Sequence, residues 1–296
     1  MEKGGIPVEQ YRIGDVLLSW DGGGYIMQKG EFMESFRHSG PWEGERITLR
    51  GHYEPLAPYR DFPLLLEREL FSVYDVNGER LLLYHWSYLR DGYAVWLDRV
   101  AQGREDAVSI DPAMDTQIPL LPDWFFGVSG LHKALLMKNR PILHASYIDI
   151  GGEAVLFTAP SETGKTTQAK LWEVYAGAEI INGDRALLGK KEGRWYAYGF
   201  PNCGSSDVCI NRTLPIKAIV ALRQGEENRI ESMAAGEKLR SLISGMVLYH
   251  WDGNDVELAL PVAEDMIEKI PMIRFHCRPD AQAVEVLKKY LKEEIQ

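Results

Sequence analysis

The sequence predicts an α/β or α+β protein. A mixed sheet surrounds a phosphate loop in the C-terminal domain, and a β-rich region precedes it. Two observations carry this prediction. The apolar run Ala154–Thr158 feeds directly into a glycine-lysine loop, and helical spacing of apolar residues follows at once. Short apolar runs separated by turn residues fill the chain before about residue 120.

Among those early runs, residues 11–20 contain the apolar stretch 16–18. A second candidate strand, 80–86, follows the turn signal Asn77-Gly78, and a third covers 93–97. Gly22-Gly23-Gly24 and Gly40-Pro41 mark loops. This region carries no motif of known chemistry. The expected division is a β-rich region, 1–122, and a phosphate-loop domain, 123–296.

The second region opens with a predicted helix, 123–136, ended by the turn Asn139-Arg140-Pro141. A strand over 142–150 turns at Gly151-Gly152 into the return strand Ala154–Thr158. After the loop, Ala169, Trp172 and Ala176 set a helix over 166–175, with Gly177 as its stop. A buried strand, 178–181, leads into Asn182-Gly183-Asp184-Arg185, and further strands are expected at 195–198 and 216–222. Asp280 caps a last helix whose apolar face is Ala281, Val284, Leu287 and Leu291.

Composition narrows the function classes. A net charge of −10 argues against a broad nucleic-acid-binding face. Cys203, Cys209 and Cys277 match neither a zinc pair nor a disulfide framework, which points to reduced thiols and a cytoplasmic setting. The N-terminus lacks the apolar core of a signal peptide, and no apolar run approaches a membrane span. The sequence leaves the oligomeric state open.

The chemistry concentrates in Ala159-Pro160-Ser161-Glu162-Thr163-Gly164-Lys165-Thr166, a relaxed phosphate loop with alanine in the first glycine position. Consecutive backbone N–H groups at a helix N-terminus converge on phosphate oxygens. The donors are expected at Gly164, Lys165, Thr166 and Thr167. Lys165 reaches the β- and γ-phosphates, and the Thr166 hydroxyl helps hold Mg²⁺. Pro160 lacks an N–H but lies early in the loop.

Beyond the loop, Leu143-His144-Ala145, Ile181-Asn182-Gly183-Asp184-Arg185 and Gly199-Phe200-Pro201-Asn202-Cys203-Gly204-Ser205-Ser206 follow in an ordered series. A weaker piece is Ile273-Arg274-Phe275-His276-Cys277-Arg278-Pro279-Asp280. Together these resemble the HPr kinase/phosphorylase and phosphoenolpyruvate carboxykinase superfamily, above all its small bacterial HPr-kinase-related members. The resemblance implies ATP and Mg²⁺ as cofactors and γ-phosphoryl transfer to a hydroxyl of a peptide or protein. It implies that His144 lies near the active site and that Asp184 binds metal or accepts the hydroxyl proton. It also implies that Cys203, Gly204 and Ser205 flank the acceptor pocket.

Two departures from that pattern matter. Gly183 stands where the family has the first of two adjacent acids, and Glu162 stands where its loop often has glycine. Both favour the alternative of a non-catalytic nucleotide-binding module in a peptide-maturation or regulatory complex. Glu162→Gly is expected to tighten ATP binding. Gly183→Asp is expected to retain or raise activity. A blander reading treats Asn182-Gly183 as a type I′ hairpin turn that Asp184 ends, His144 as a core strand residue, and Cys203 as a packed thiol or, less often, a nucleophile.

Overall fold

The computed structural model describes residues 8–21, 31–85, 93–104, 107–110 and 129–295. The chain mixes helices with two mixed sheets and forms two compact units, Met1–Met137 and Lys138–Gln296.

In the first unit the elements are β1 (Glu9–Ile13), β2 (Val16–Asp21), α1 (Glu31–Glu34), β3 (Glu45–Tyr53), β4 (Leu64–Glu67), β5 (Phe71–Val76), β6 (Glu79–Tyr84), β7 (Tyr93–Trp96), α2 (Leu97–Ala101), β8 (Val108–Ile110) and α3 (Leu131–Met137). The strands form one sheet in the order β1-β2-β3-β8-β7-β6-β5-β4. The pairs β2–β3 and β3–β8 are parallel, and the others are antiparallel. Residues 11–20 are split by Gly14, at φ 61°, into the β1–β2 hairpin. Asn77 and Gly78 both take positive φ, 55° and 87°, as a two-residue turn between right-twisted strands requires. Trp86, the triple glycine at 22–24 and the start of the helix expected from 123 lie outside the described residues; the described helix there is α3.

The second unit contains β9 (Ile142–Asp149), β10 (Ala154–Thr158), α4 (Lys165–Ala176), β11 (Glu179–Asn182), β12 (Arg185–Lys191), β13 (Arg194–Tyr198), β14 (Thr213–Gln224), β15 (Arg229–Ser232), α5 (Ala235–Gly245), α6 (Gly253–Lys269), β16 (Met272–Cys277) and α7 (Ala281–Glu293). The sheet around the loop runs β15-β16-β14-β10-β9-β11, with β10 parallel to β14 and antiparallel to β9. β12 and β13 then bridge β9 to the start of β14, so β9, β12, β13, β14 and β10 close into a ring. Tyr147 of β9 is fully buried, and its hydroxyl donates 3.1 Å to the Ala197 carbonyl of β13, a strand it does not pair with.

One face of the sheet is sealed by α4 and α7. Phe157, Val220, Ile273 and Phe275 meet Trp172, Val284, Leu287 and Leu291 in a single apolar cluster. In such cores, truncating a residue like Trp172 to alanine costs about 3–5 kcal/mol. Gly177 ends α4 at φ 66° with its N–H on the Trp172 carbonyl, and Asp280 caps α7 by accepting from the Ala283 N–H at 3.0 Å.

Three sequence expectations change. Asn182-Gly183 is not a hairpin turn. β11 and β12 both pair with β9, end to end and in one register from Asn182 to Arg185, so the chain continues along the same strand; the register shift lies earlier, between Ile180 and Asn182. Strand 178–181 is also not a neighbour of β10, because β9 lies between them. Both are antiparallel to β9 and hence run in the same direction, which brings their carboxyl ends to one edge of the sheet. Finally, α5 and α6 fill a stretch for which the sequence suggested no helix. Gly236 and Gly245 in α5 and Pro261 inside α6 obscure the helical signal.

Candidate functional site

The loop leaves the end of β10 and enters α4 at Gly164, whose φ of 109° is open only to glycine at low cost. Glu162 is also left-handed, at φ 63°. A side chain with a Cβ costs roughly 1–2 kcal/mol in this conformation. The glycine usual in the resembling family would remove that strain, so the substitution carries a local energetic cost as well as a charge. Glu162 itself is exposed.

Lys165 is buried to 7% exposure. Its ammonium donates to the carbonyls of Ala159 and Pro160 at 3.0 and 3.3 Å, closing the loop upon itself. Burial pulls its pKa down, and the charge of Asp184 partly restores it. The Thr166 hydroxyl approaches the Gly183 carbonyl at 3.5 Å. Lys165 and Thr166 therefore stand beside the Gly183-Asp184 segment, although β11 and β10 are not neighbours. Thr163 folds back with its N–H on the Pro160 carbonyl, and Ser161 and Thr167 are exposed on the loop and the first turn of α4.

His144 enters from the start of β9, directly across from Arg185 of β12. Its Nε2 lies 2.8 Å from Asp184 Oδ1, and Arg185 Nε lies 3.3 Å from Asp184 Oδ2. Burial raises the Asp184 pKa, but the hydrogen bond and charge of His144, followed by Arg185, more than offset it and hold the carboxyl below its ordinary range. The blander reading of His144 as a core strand residue is not what the geometry gives: the ring is partly exposed and bonded to the candidate acid.

Asn182 is the residue whose role the sequence reading missed. It is fully buried. Its Nδ2 donates to the Phe200 and Asn202 carbonyls at 2.7 and 3.1 Å, and its Oδ1 accepts from the Asp184 and Arg185 N–H groups at 2.8 Å each. One amide thus fixes the backbone of the candidate acid and ties it to the loop 200–209. The asparagine–glycine pair reads as a turn signal in sequence, which hides this role.

The turn at Cys203, Gly204 and Ser205 lies against the acid. A Cβ built on Gly204, which has φ 55°, would sit 2.8 Å from Asp184 Cγ. Cys203, Cys209 and Cys277 are buried, and none of them forms a disulfide. A Cβ built on Gly183 would fall 2.2 Å from both Cβ and Oγ of Ser206. The space that a side chain at 183 would need is already filled by Ser206, so Gly183→Asp requires the turn beside Asp184 to shift.

For a divalent cation the donors in reach are the Asp184 carboxylate and the Thr166 hydroxyl. Among the described residues no three His, Cys, Asp or Glu side chains converge as a metal cage. Mg²⁺ in nucleotide sites takes one or two carboxylates together with substrate phosphates and water. A low-pKa carboxylate beside a hydroxyl at a helix N-terminus fits that demand.

A cavity of about 960 Å³ opens beside the loop. Its walls are His144, residues 158–163, the end of β14 at 221–224, Arg274 of β16, and one side of α5. Residues 159–163 of the loop line it; residues 164–167 and Asp184 do not. Among the described residues no helix is long and apolar enough to cross a membrane.

No protein-family model and no curated protein matches the chain. Among solved structures it is similar to the HPr(Ser) kinase/phosphatase from Coxiella burnetii, at 12% identity and a TM-score of 0.32, over 51% of this chain and 95% of that one. A likeness at that level carries no functional argument.

Proposed function

We propose that the chain binds ATP with Mg²⁺ at residues 159–167 and transfers the γ-phosphoryl group to a hydroxyl of a peptide or protein. The observation that carries this reading is the convergence of Lys165, Thr166, His144 and Asp184 at the carboxyl ends of two strands. In the transfer the acceptor oxygen bonds to the γ-phosphorus as the β–γ bridging oxygen leaves with ADP. Lys165 and the N–H groups of α4 stabilise the charge on the phosphates. The Asp184–His144 pair takes the hydroxyl proton. The cation, when bound, neutralises charge on the β- and γ-oxygens. Cys203, Gly204 and Ser205 border the acceptor beside Asp184.

Acceptor-dependent release of ADP by the full chain, with the phosphopeptide identified by mass spectrometry, tests this. ATP binding without ADP release across a serine, threonine and tyrosine peptide panel would favour a second reading, a nucleotide-binding module without catalysis. The strained Glu162 and the single acid at 183–184 favour that alternative.

A further inference from the structure

One helix crosses the cavity with an unusual face. Glu237, Arg240, Ser241, Ser244 and Gly245 of α5 all line it. The spacing is that of one continuous helical stripe. An amphipathic helix ordinarily turns its polar stripe to open solvent. This one turns it to an internal cleft whose opposite wall is the phosphate loop. The C-terminal end of α5 is locked there, because a Cβ on Gly245 would come within 2.9 Å of the Thr158 hydroxyl, at the end of β10.

The cleft, rather than the stripe alone, carries a cationic excess: three arginines, Arg223, Arg240 and Arg274, line it against two carboxylates, Glu162 and Glu237. Arg274 is committed, at 3.1 Å to Glu237 and 3.7 Å to Glu231. Arg240 and Arg223 are exposed, and their guanidinium groups make no hydrogen bond or salt bridge with a described residue, although the Arg240 charge lies near the Glu237 carboxylate. The cleft shares residues 159–163 with the loop proposed to hold ATP, while residues 164–167, the N–H donors of α4, do not line it. Nor does it suit a purine, because no Phe, Tyr or Trp side chain lines it and the α5 wall is hydroxyl and charge.

We infer that the α5 side of this cleft is an acceptor subsite that takes a carboxylate-bearing peptide segment, with Arg240 and Arg223 as the residues that read it. This rests on the proposed phosphoryl transfer and adds its substrate class. Guanidinium groups bind carboxylates through paired, charge-assisted hydrogen bonds. His144 also lines the cleft and bonds Asp184 at 2.8 Å, which connects the cleft to the candidate acid. The net charge of −10 matters here: the molecule as a whole repels an acidic peptide, so selective capture requires a local basic site.

The test uses the full chain with ADP and Mg²⁺ and two matched sets of fluorescent serine peptides. One set is rich in Asp and Glu; the other has Asn and Gln at the same positions. The acidic set is expected to bind about tenfold tighter at low salt, with the advantage shrinking as salt is raised. Arg240→Gln and Arg223→Gln each remove most of that advantage and leave the ATP–Mg²⁺ melting shift intact. Equal affinity of the two sets, whether both bind or neither does, overturns the proposal. So does a loss of the ATP–Mg²⁺ shift in Arg240→Gln, which would make the stripe part of the nucleotide site. Free glutamate competing as well as the peptide would overturn the peptide assignment. A failed nucleotide reading shows separately, as no ATP–Mg²⁺ shift in the wild type.

Discussion

His144 Nε2 and Asp184 Oδ1 stand 2.8 Å apart, on β9 and on the link between β11 and β12 that runs beside it. Under the proposed phosphoryl transfer, Asp184 is the acid on which turnover would depend. Asp184→Asn keeps the size of the side chain and removes its charge. Turnover is expected to fall by at least about 100-fold, the low end for loss of an acid–base group, with the melting temperature of the unliganded protein little changed. Wild-type-like phosphopeptide yield by mass spectrometry would rule out this role.

Lys165 gives a binding prediction with a pH signature. ATP–Mg²⁺ raises the melting temperature of the wild type by mass action, and Lys165→Ala removes most of the rise. Burial lowers the Lys165 pKa and Asp184 raises it again. The lysine charge is lost as pH rises. Taking away Asp184 therefore moves the alkaline loss of ATP affinity to lower pH in Asp184→Asn. Titration calorimetry over an alkaline series checks the direction of the move.

Glu162→Gly tests the strained loop. Releasing φ 63° at this residue stabilises the unliganded protein by about 1 kcal/mol. Removing the carboxylate from the loop tightens ATP binding. Denaturant midpoints and calorimetry read the two effects apart. Weaker ATP binding in the variant would mean that the Glu162 side chain makes a contact that the nucleotide needs.

Asp265 predicts an acid-sensitive seam between α6 and the β12–β13 hairpin. Burial raises its pKa, but hydrogen bonds from Lys269, Lys190 and Trp195 outweigh it and hold the carboxyl at about 2. The Lys190 and Trp195 contacts are 2.9 and 2.8 Å. A depressed carboxyl stabilises the fold above the unfolded pKa, near 4, and loses that stabilisation as pH falls toward 2. Asp265→Asn is accordingly expected to lower the urea midpoint at pH 7 and to leave it nearly unchanged at pH 2. Equal losses at both pH values would assign the effect to packing alone.

The fold class and the strand–loop–helix core were legible because local rules decide them. Apolar β10, the left-handed Gly164 and the αL stop at Gly177 each carry their own signal. Asp280 announced α7 in the same way. What stayed hidden depends on distant partners. Asn182 reads as a turn former until the Phe200 and Asn202 carbonyls are in place. Gly183 reads as a missing acid until Ser206 is seen in its space. The polar stripe of α5 has no meaning in sequence, because a wet face and a cleft-facing one share the same periodicity.

The close approach of Ser206 to Gly183 also bears on how such a site changes over generations. An acid gained at 183 alone collides with the turn that borders Asp184, so the single step is penalised before any benefit of a second carboxylate is felt. A smaller residue at 206 must come first or together with it. The two positions are thus epistatic, and a lineage that has settled on glycine and serine there is held on the single-acid branch by sterics, whatever selection favours in the chemistry.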